Sequence, residues 1–123
     1  MNPNHPQISL YLYKAIVTDV YDGDTITVDI DLGLSVWVRG ERIRLFGINA
    51  PEMRGPEREE GVVSLDFLRS RILGKKVVLR TVPSPKGKDK KGKYGRYLAT
   101  VFYDGVNINN LLVTEGYAKE ASY

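Results

Sequence analysis

The chain has 123 residues, 42% of them apolar and 27% charged, with a net charge of +3. This is the profile of one globular domain rather than a disordered or fibrous chain. It has no cysteine and a single histidine, His5 in the terminal segment, which excludes disulfides, thiolate zinc sites, cysteine nucleophiles and a histidine-based general base. No apolar run reaches membrane-spanning length and the first residues lack a basic and apolar signal, so no membrane association is expected and the chain as written reads as cytoplasmic.

Residues 1–10, with Pro3 and Pro6, read as a loose leader ahead of a single domain over 11–123. A first strand is expected over 12–20, rich in Tyr, Val and Ile, and a second over 26–31, where Ile26, Val28 and Ile30 alternate with polar residues. Between them Asp22-Gly23-Asp24-Thr25 reads as a hairpin turn in which Gly23 supplies a positive φ. Asp24 then falls at the start of the second strand, where rigid backbone would hold a carboxylate firmly enough to ligate a cation. A third strand begins near Val36. Its apolar positions change parity across Gly40, the mark of a β-bulge. The chain leaves the sheet at Asn49-Ala50-Pro51-Glu52.

The one long helix is expected over 56–73, with Pro56 in its first turn, Leu65, Leu68 and Ile72 on its buried stripe, and Gly74 as its C-cap. Gly61 weakens its middle, and the helix could start only after it. Strands follow over 76–82 and 94–103. A short helix over 110–115 is expected to take Asn109 as N-cap and Gly116 as C-cap. Three strands, a helix, two strands and a short C-terminal helix is the order of a mainly β fold with helices: a five-stranded Greek-key OB-type barrel.

The charge is unevenly spread. Lys86, Lys88, Lys90, Lys91, Lys93 and Arg96 stand against one acid, Asp89, so this segment carries +5 and the remainder −2. A concentrated basic loop on an otherwise acidic chain suits a polyanionic partner, although it also suits a merely solvated loop. Three clusters bear on chemistry: Asp22 with Asp24; Arg44 with the stretch Asn49 to Glu52; and Lys93-Tyr94-Gly95-Arg96. Alone, each also reads as ordinary strand or loop architecture. Together they hold what phosphodiester hydrolysis needs without histidine. Oxygen ligands can hold a hard cation, a carboxylate can activate water, and two arginines can grip phosphate oxygens.

The same motifs, in the same order over roughly 15–119, resemble the staphylococcal-nuclease-like (thermonuclease) family. The resemblance implies an OB-fold nuclease that uses Ca²⁺ to cleave DNA or RNA. It places metal ligation on Asp24, Asn49 and the backbone carbonyl of Ala50, with Asp22 in an outer shell. It places binding of the scissile phosphate on Arg44, activation of water on Glu52, and phosphate binding with leaving-oxygen assistance on Arg96. Tyr94 would line the nucleotide pocket and Lys93 would lie near a terminal phosphate, with Lys86, Lys88, Lys90 and Lys91 as further nucleic-acid contacts. Asn49 departs from the family, which has Asp there. One ligand charge is lost, so weaker metal binding is expected, and Mg²⁺ or another divalent ion could serve. Tyr117 and Tyr123 could stack on bases. Two functions follow: a monomeric nuclease acting on DNA, RNA or both, and a nucleic-acid-binding module whose catalysis has weakened or been lost at Asn49.

Overall fold

A computed structural model describes residues 11–84, 88–92 and 94–122. The leader over 1–10, Lys86, Lys93 and Tyr123 lie outside these residues. In chain order the elements are β1 (Leu12–Asp22), β2 (Thr25–Asp31), β3 (Trp37–Leu45), β4 (Ile48–Asn49), a 3₁₀ turn (Gly55–Glu57), α1 (Arg58–Ile72), β5 (Lys76–Thr81), β6 (Tyr97–Tyr103), β7 (Val106–Asn107), α2 (Ile108–Thr114) and β8 (Lys119–Glu120).

The five longer strands lie in the order β3-β2-β1-β5-β6, and a parallel pairing of β3 with β6 closes them into a barrel. Closure joins the two edges at Ile43–Leu45 of β3 and Tyr97–Ala99 of β6. Alternating side chains of every barrel strand fill the interior: Val17, Val20, Ile26, Val28, Ile43, Leu45, Leu79 and Val101 are buried without exposure to solvent or nearly so. Helix α1 adds Leu65, Leu68 and Ile72 to that core, and α2 adds Ile108 and Leu112. The expected order of three strands, a helix, two strands and a short helix is the one observed, with three two-residue strands added.

The parity change across Gly40 is a bulge. Val28 pairs with Glu41 and Ile30 with Val38, so Arg39 and Gly40 together face Asp29. Gly40 takes φ +67°, a conformation that favours glycine. Asp29 holds the bulge from across the ladder: its carboxylate accepts from the Gly40 N–H at 2.9 Å and from Arg39 at 3.0 Å.

Three local expectations are corrected. Gly23 is not in the positive-φ region. Its lack of a side chain is needed for packing instead: a Cβ there would stand 2.7 Å from the Ala50 Cβ and 2.9 Å from the Ser64 Cβ. Helix α1 runs through Gly61 rather than starting after it, and glycine stands there because the Pro51–Glu52 backbone lies against the helix. The cap of α2 is Asn107, whose side chain accepts from the Asn110 N–H, and not Asn109. Asn109 is 5% exposed. It donates to the carbonyls of Phe46 and Ala99 and accepts from the Val101 N–H, joining β6 to the end of β3. In an Asn-Ile-Asn-Asn run, only the position where the chain turns into the helix decides which amide caps it.

Candidate active site

Side-chain hydrogen bonds of Asp22 and Asp24 fix the β1–β2 turn. The Asp22 carboxylate accepts from the Asp24 N–H, two residues on, at 3.0 Å, an Asx-type turn. Asp24 is 9% exposed. Its carboxylate accepts from the Ala50 N–H at 2.8 Å and from the Thr25 hydroxyl at 3.3 Å, while its carbonyl accepts from the Leu45 N–H. The turn is thereby bolted to the far end of β3 and to the loop that follows β4.

On β3, Arg44 stands opposite Thr25 of β2 and opposite Leu98 of β6. Its side chain is 14% exposed and ion-paired with Asp24 at 3.4 Å. The guanidinium also donates to the carbonyls of Leu45 and Ile48 and, at 2.6 Å, to the Asn49 side-chain oxygen. Its planar fork is therefore held in one orientation by several acceptors at once. Arg96 comes from 71 positions beyond Thr25 in the chain and donates to the Thr25 hydroxyl at 3.0 Å. It reaches the site because Gly95, at φ +76°, turns the chain just before β6 begins at Tyr97, later than the expected strand start at 94.

These groups open onto one cleft of about 850 Å³. Asp22, Asp24, Arg44, Asn49, Ala50, Glu52, Tyr94 and Arg96 all line it. Glu52 is exposed on its rim, and its N–H donates to the Glu57 carboxylate at 3.3 Å. Ala50 meets Asp24 through its N–H. Tyr94 is 73% exposed, with the Arg96 guanidinium 5.3 Å from its ring centroid. Two carboxylates so close together repel one another. Burial, a hydrogen bond to Asp24 and the Asp24 charge push Asp22 up to about 6, against the opposing pull of the Asp24 N–H and Arg44.

The described lysines of the basic loop, Lys88, Lys90 and Lys91, do not line this cleft. They sit on the β5–β6 connection, where Lys90 pairs its backbone with Val82 and Leu98 and Lys91 lies over the Tyr97 ring. The lone acid of that loop is its tether: Asp89 accepts from the hydroxyls of Tyr13 and Thr81. Tyr117 stacks on Phe67 of α1, ring centroids 4.0 Å apart, and so covers one face of its own ring. Sequence reasoning missed Tyr21, Arg42, Glu57, Glu60 and Lys119 as cleft residues. The signal for Arg42 was its spacing, two residues before Arg44 on one strand face. Lys119 carried none, since only the β4–β8 pairing of Asn49 with Lys119 brings it there.

Among the described residues, no three His, Cys, Asp or Glu side chains are grouped to hold a metal ion. A cation in this cleft would therefore draw on amide or backbone oxygens beside the aspartates.

The family model described as staphylococcal nuclease homologue matches residues 42–123. The chain belongs to the staphylococcal nuclease family. Among relatives of this family, a thermonuclease of Staphylococcus intermedius is 32% identical over 92% of this chain and 60% of its own length. A thermonuclease of Staphylococcus hyicus is also 32% identical, over 90% of this chain and 60% of its own length. An uncharacterized protein of Bacillus anthracis is 35% identical over 85% of this chain and 45% of its own length. The chain thus spans about half the length of the curated relatives it matches. The matched span contains Arg44, Asn49, Glu52 and Arg96, whereas the Asp22–Asp24 turn precedes it. Among the described residues, no helix is long and apolar enough to cross a membrane.

Proposed function

We propose that this member of the nuclease family hydrolyses phosphodiester bonds of DNA or RNA with a divalent cation, Ca²⁺ being the first choice. The observation that carries the reading is convergence. Asp24, Arg44, Glu52 and Arg96 come from separate parts of the chain, yet they line one cleft, with Arg44 on Asp24 and Arg96 on the neighbouring Thr25.

The donor chemistry suits a hard cation. The candidates are the Asp24 carboxylate, the Asn49 amide oxygen and the Ala50 carbonyl, with Asp22 behind them, an all-oxygen set. Burial raises Asp22 first and the Asp24 charge adds to it, and a cation would relieve that second part. When bound, the ion would polarise a phosphoryl oxygen and offset developing charge. Arg44, whose fork is already oriented, would bind the scissile phosphate and stabilise the extra charge of the pentacoordinate state. Arg96 would hold a further oxygen and the departing one. Glu52, on the cleft rim, would orient the attacking water and take its proton.

One observation favours the second reading, a binding module with little or no cleavage. Arg44 contacts both Asp24 and Asn49, at 3.4 and 2.6 Å, so a guanidinium already sits against two of the proposed ligands. With Asn in place of Asp, one negative charge fewer draws a metal to that position.

The experiment is cleavage of heat-denatured DNA and of RNA with Ca²⁺, Mg²⁺ or chelator, for wild type and for Glu52→Ala, Arg44→Ala and Arg96→Ala. The expected result is metal-dependent cleavage that falls roughly 10²-fold or more when either arginine is removed, as for loss of one transition-state donor. Nucleic acid that is retarded but stays intact in the presence of metal would establish the binding module instead.

A further inference from the structure

Three arginines line the cleft, and two of them are engaged by the protein itself. Arg44 is held by Asp24, Asn49 and two carbonyls, and Arg96 by Thr25. Arg42 has no ion pair and no hydrogen bond among the described residues. What holds it is a ring: its guanidinium lies over Tyr21, 4.6 Å from the centroid. A guanidinium stacked by its face keeps its N–H edges for other acceptors, and two of those edges match a phosphate.

Tyr21 owes its place to an irregularity in the hairpin. Val20 pairs with Ile26 and Asp22 with Thr25, so Tyr21 is an extra residue in β1, a bulge of the kind that re-aims a side chain. Tyr21 is 52% exposed on the cleft wall, and its ring reaches the arginine two strands away. Arginines lie over rings elsewhere on the barrel, as Arg39 does over Trp37 and Arg80 over Phe102, but this pair stands on the cleft wall. As a solvated strand residue Arg42 would need no partner, but it would not need Tyr21 either.

Spacing gives the pair a use. Arg42 and Arg44 face Thr27 and Thr25 and lie two residues apart on one face of β3. Along a strand that is about 6.6 Å, close to the step between successive phosphates of an extended single strand. We propose that Tyr21 and Arg42 form a second nucleotide subsite, in which Arg42 holds the phosphate next to the scissile one and Tyr21 stacks with the adjoining base. The substrate class is then single-stranded nucleic acid of three or more nucleotides, since a paired base would not be free to stack. The assignment of Arg44 to the scissile phosphate rests on the phosphodiesterase reading above; the subsite itself is tested without cleavage.

The test is binding of fluorescein-labelled pentathymidylate and dithymidylate, in chelator and at several salt concentrations, to wild type, Arg42→Gln, Arg42→Lys and Tyr21→Ala. Thermal melts confirm that each variant is folded. Arg42→Gln is expected to weaken pentamer binding about tenfold and to reduce the salt slope by about 0.7, one single-strand phosphate contact. Tyr21→Ala is expected to weaken it about tenfold, within the range for one stacked base. Both should lower the preference for pentamer over dimer. An unchanged pentamer affinity and slope in Arg42→Gln overturns the subsite, as does an equal loss for dimer and pentamer. Full affinity in Arg42→Lys would reduce the role to net charge and overturn the fork-to-phosphate contact. Duplex bound as tightly as single strand would overturn the substrate class. If wild type binds the pentamer through Arg42 yet cleaves it with neither Ca²⁺ nor Mg²⁺, the nuclease reading fails and the subsite stands; if wild type cleaves but does not bind the pentamer in chelator, the subsite fails and the nuclease reading stands.

Discussion

Glycine at 23 and at 61 marks where separate pieces of backbone touch, and the two positions make opposite demands on intuition. At Gly61 an alanine gains about 1 kcal/mol of helix propensity. Yet its Cβ would lie 2.3 Å from the Glu52 carbonyl oxygen, which is backbone and must move. Overpacking of this kind costs about 1–3 kcal/mol, so the clash wins. Gly61→Ala should therefore lower the urea midpoint and cleavage together, because the atoms displaced belong to Glu52; a more stable variant would contradict the packing. The two asparagines before and within α2 can be ranked likewise. Asn107→Ala removes a helix cap at a cost of about 1 kcal/mol. Asn109→Ala leaves the buried Val101 N–H without this acceptor, at about 1–3 kcal/mol for a group left unsatisfied, and takes one donor each from the Phe46 and Ala99 carbonyls, of which Ala99 keeps the Phe46 N–H. Urea denaturation should find Asn109→Ala the more damaging, and the reverse order would return the capping role to Asn109.

At the level of elements, the β2–β3 hairpin and the basic loop each hang on one carboxylate. The Gly40 N–H and Arg39 hold Asp29 below its ordinary value of 3.8. A carboxyl depressed in the folded state adds stability above its unfolded pKa, and that stability is lost as pH falls through the folded value. Wild type should therefore lose more of its urea midpoint between pH 5 and pH 2.5 than Asp29→Asn does. Equal losses would mean that the bulge does not depend on this charge. Asp89 ties the basic loop to β1 and β5, and burial, its hydrogen bond and its charge push Tyr13 up to about 12 from 10.0. Here the folded pKa is raised, so the contribution is complete below 10 and is lost as pH climbs through about 12. Ultraviolet titration should show one phenol ionising late, and that late phase should vanish in Tyr13→Phe. Strand pairing explains why this acid could not be recognised as a tether from its neighbours: Tyr13 is 76 positions away.

For the molecule as a whole, closure of the barrel is the decisive event. Parallel pairing of β3 with β6 sets Arg44 opposite Leu98 and lets Arg96, just ahead of that strand, reach Thr25 beside Asp24. Lys88, Lys90 and Lys91 of the β5–β6 connection do not line this cleft, so their expected role is long-range attraction rather than contact with a bound phosphate. Neutralising Lys88, Lys90 and Lys91 together should flatten the salt dependence of nucleic-acid binding while kcat at saturating substrate holds. A fall in kcat would bring the loop into the cleft. Much of this architecture was legible in advance. Period-2 alternation exposed the strands, the parity change located the bulge at Gly40, and the leucine spacing found α1. These are local signals, written by which side chains must avoid water within a few residues of one another. The motifs likewise named Asp24, Arg44, Glu52 and Arg96, which share one cleft, because the proposed hydrolysis would draw on few residue types. Contacts between distant segments carried no such mark: the close approach behind Gly23 and Gly61, the three-way bond of Asn109, the tether at Asp89 and the meeting of Tyr21 with Arg42. Each depends on which backbones the closed barrel presses together, and a chain read one neighbourhood at a time holds the ingredients of those contacts without their coordinates.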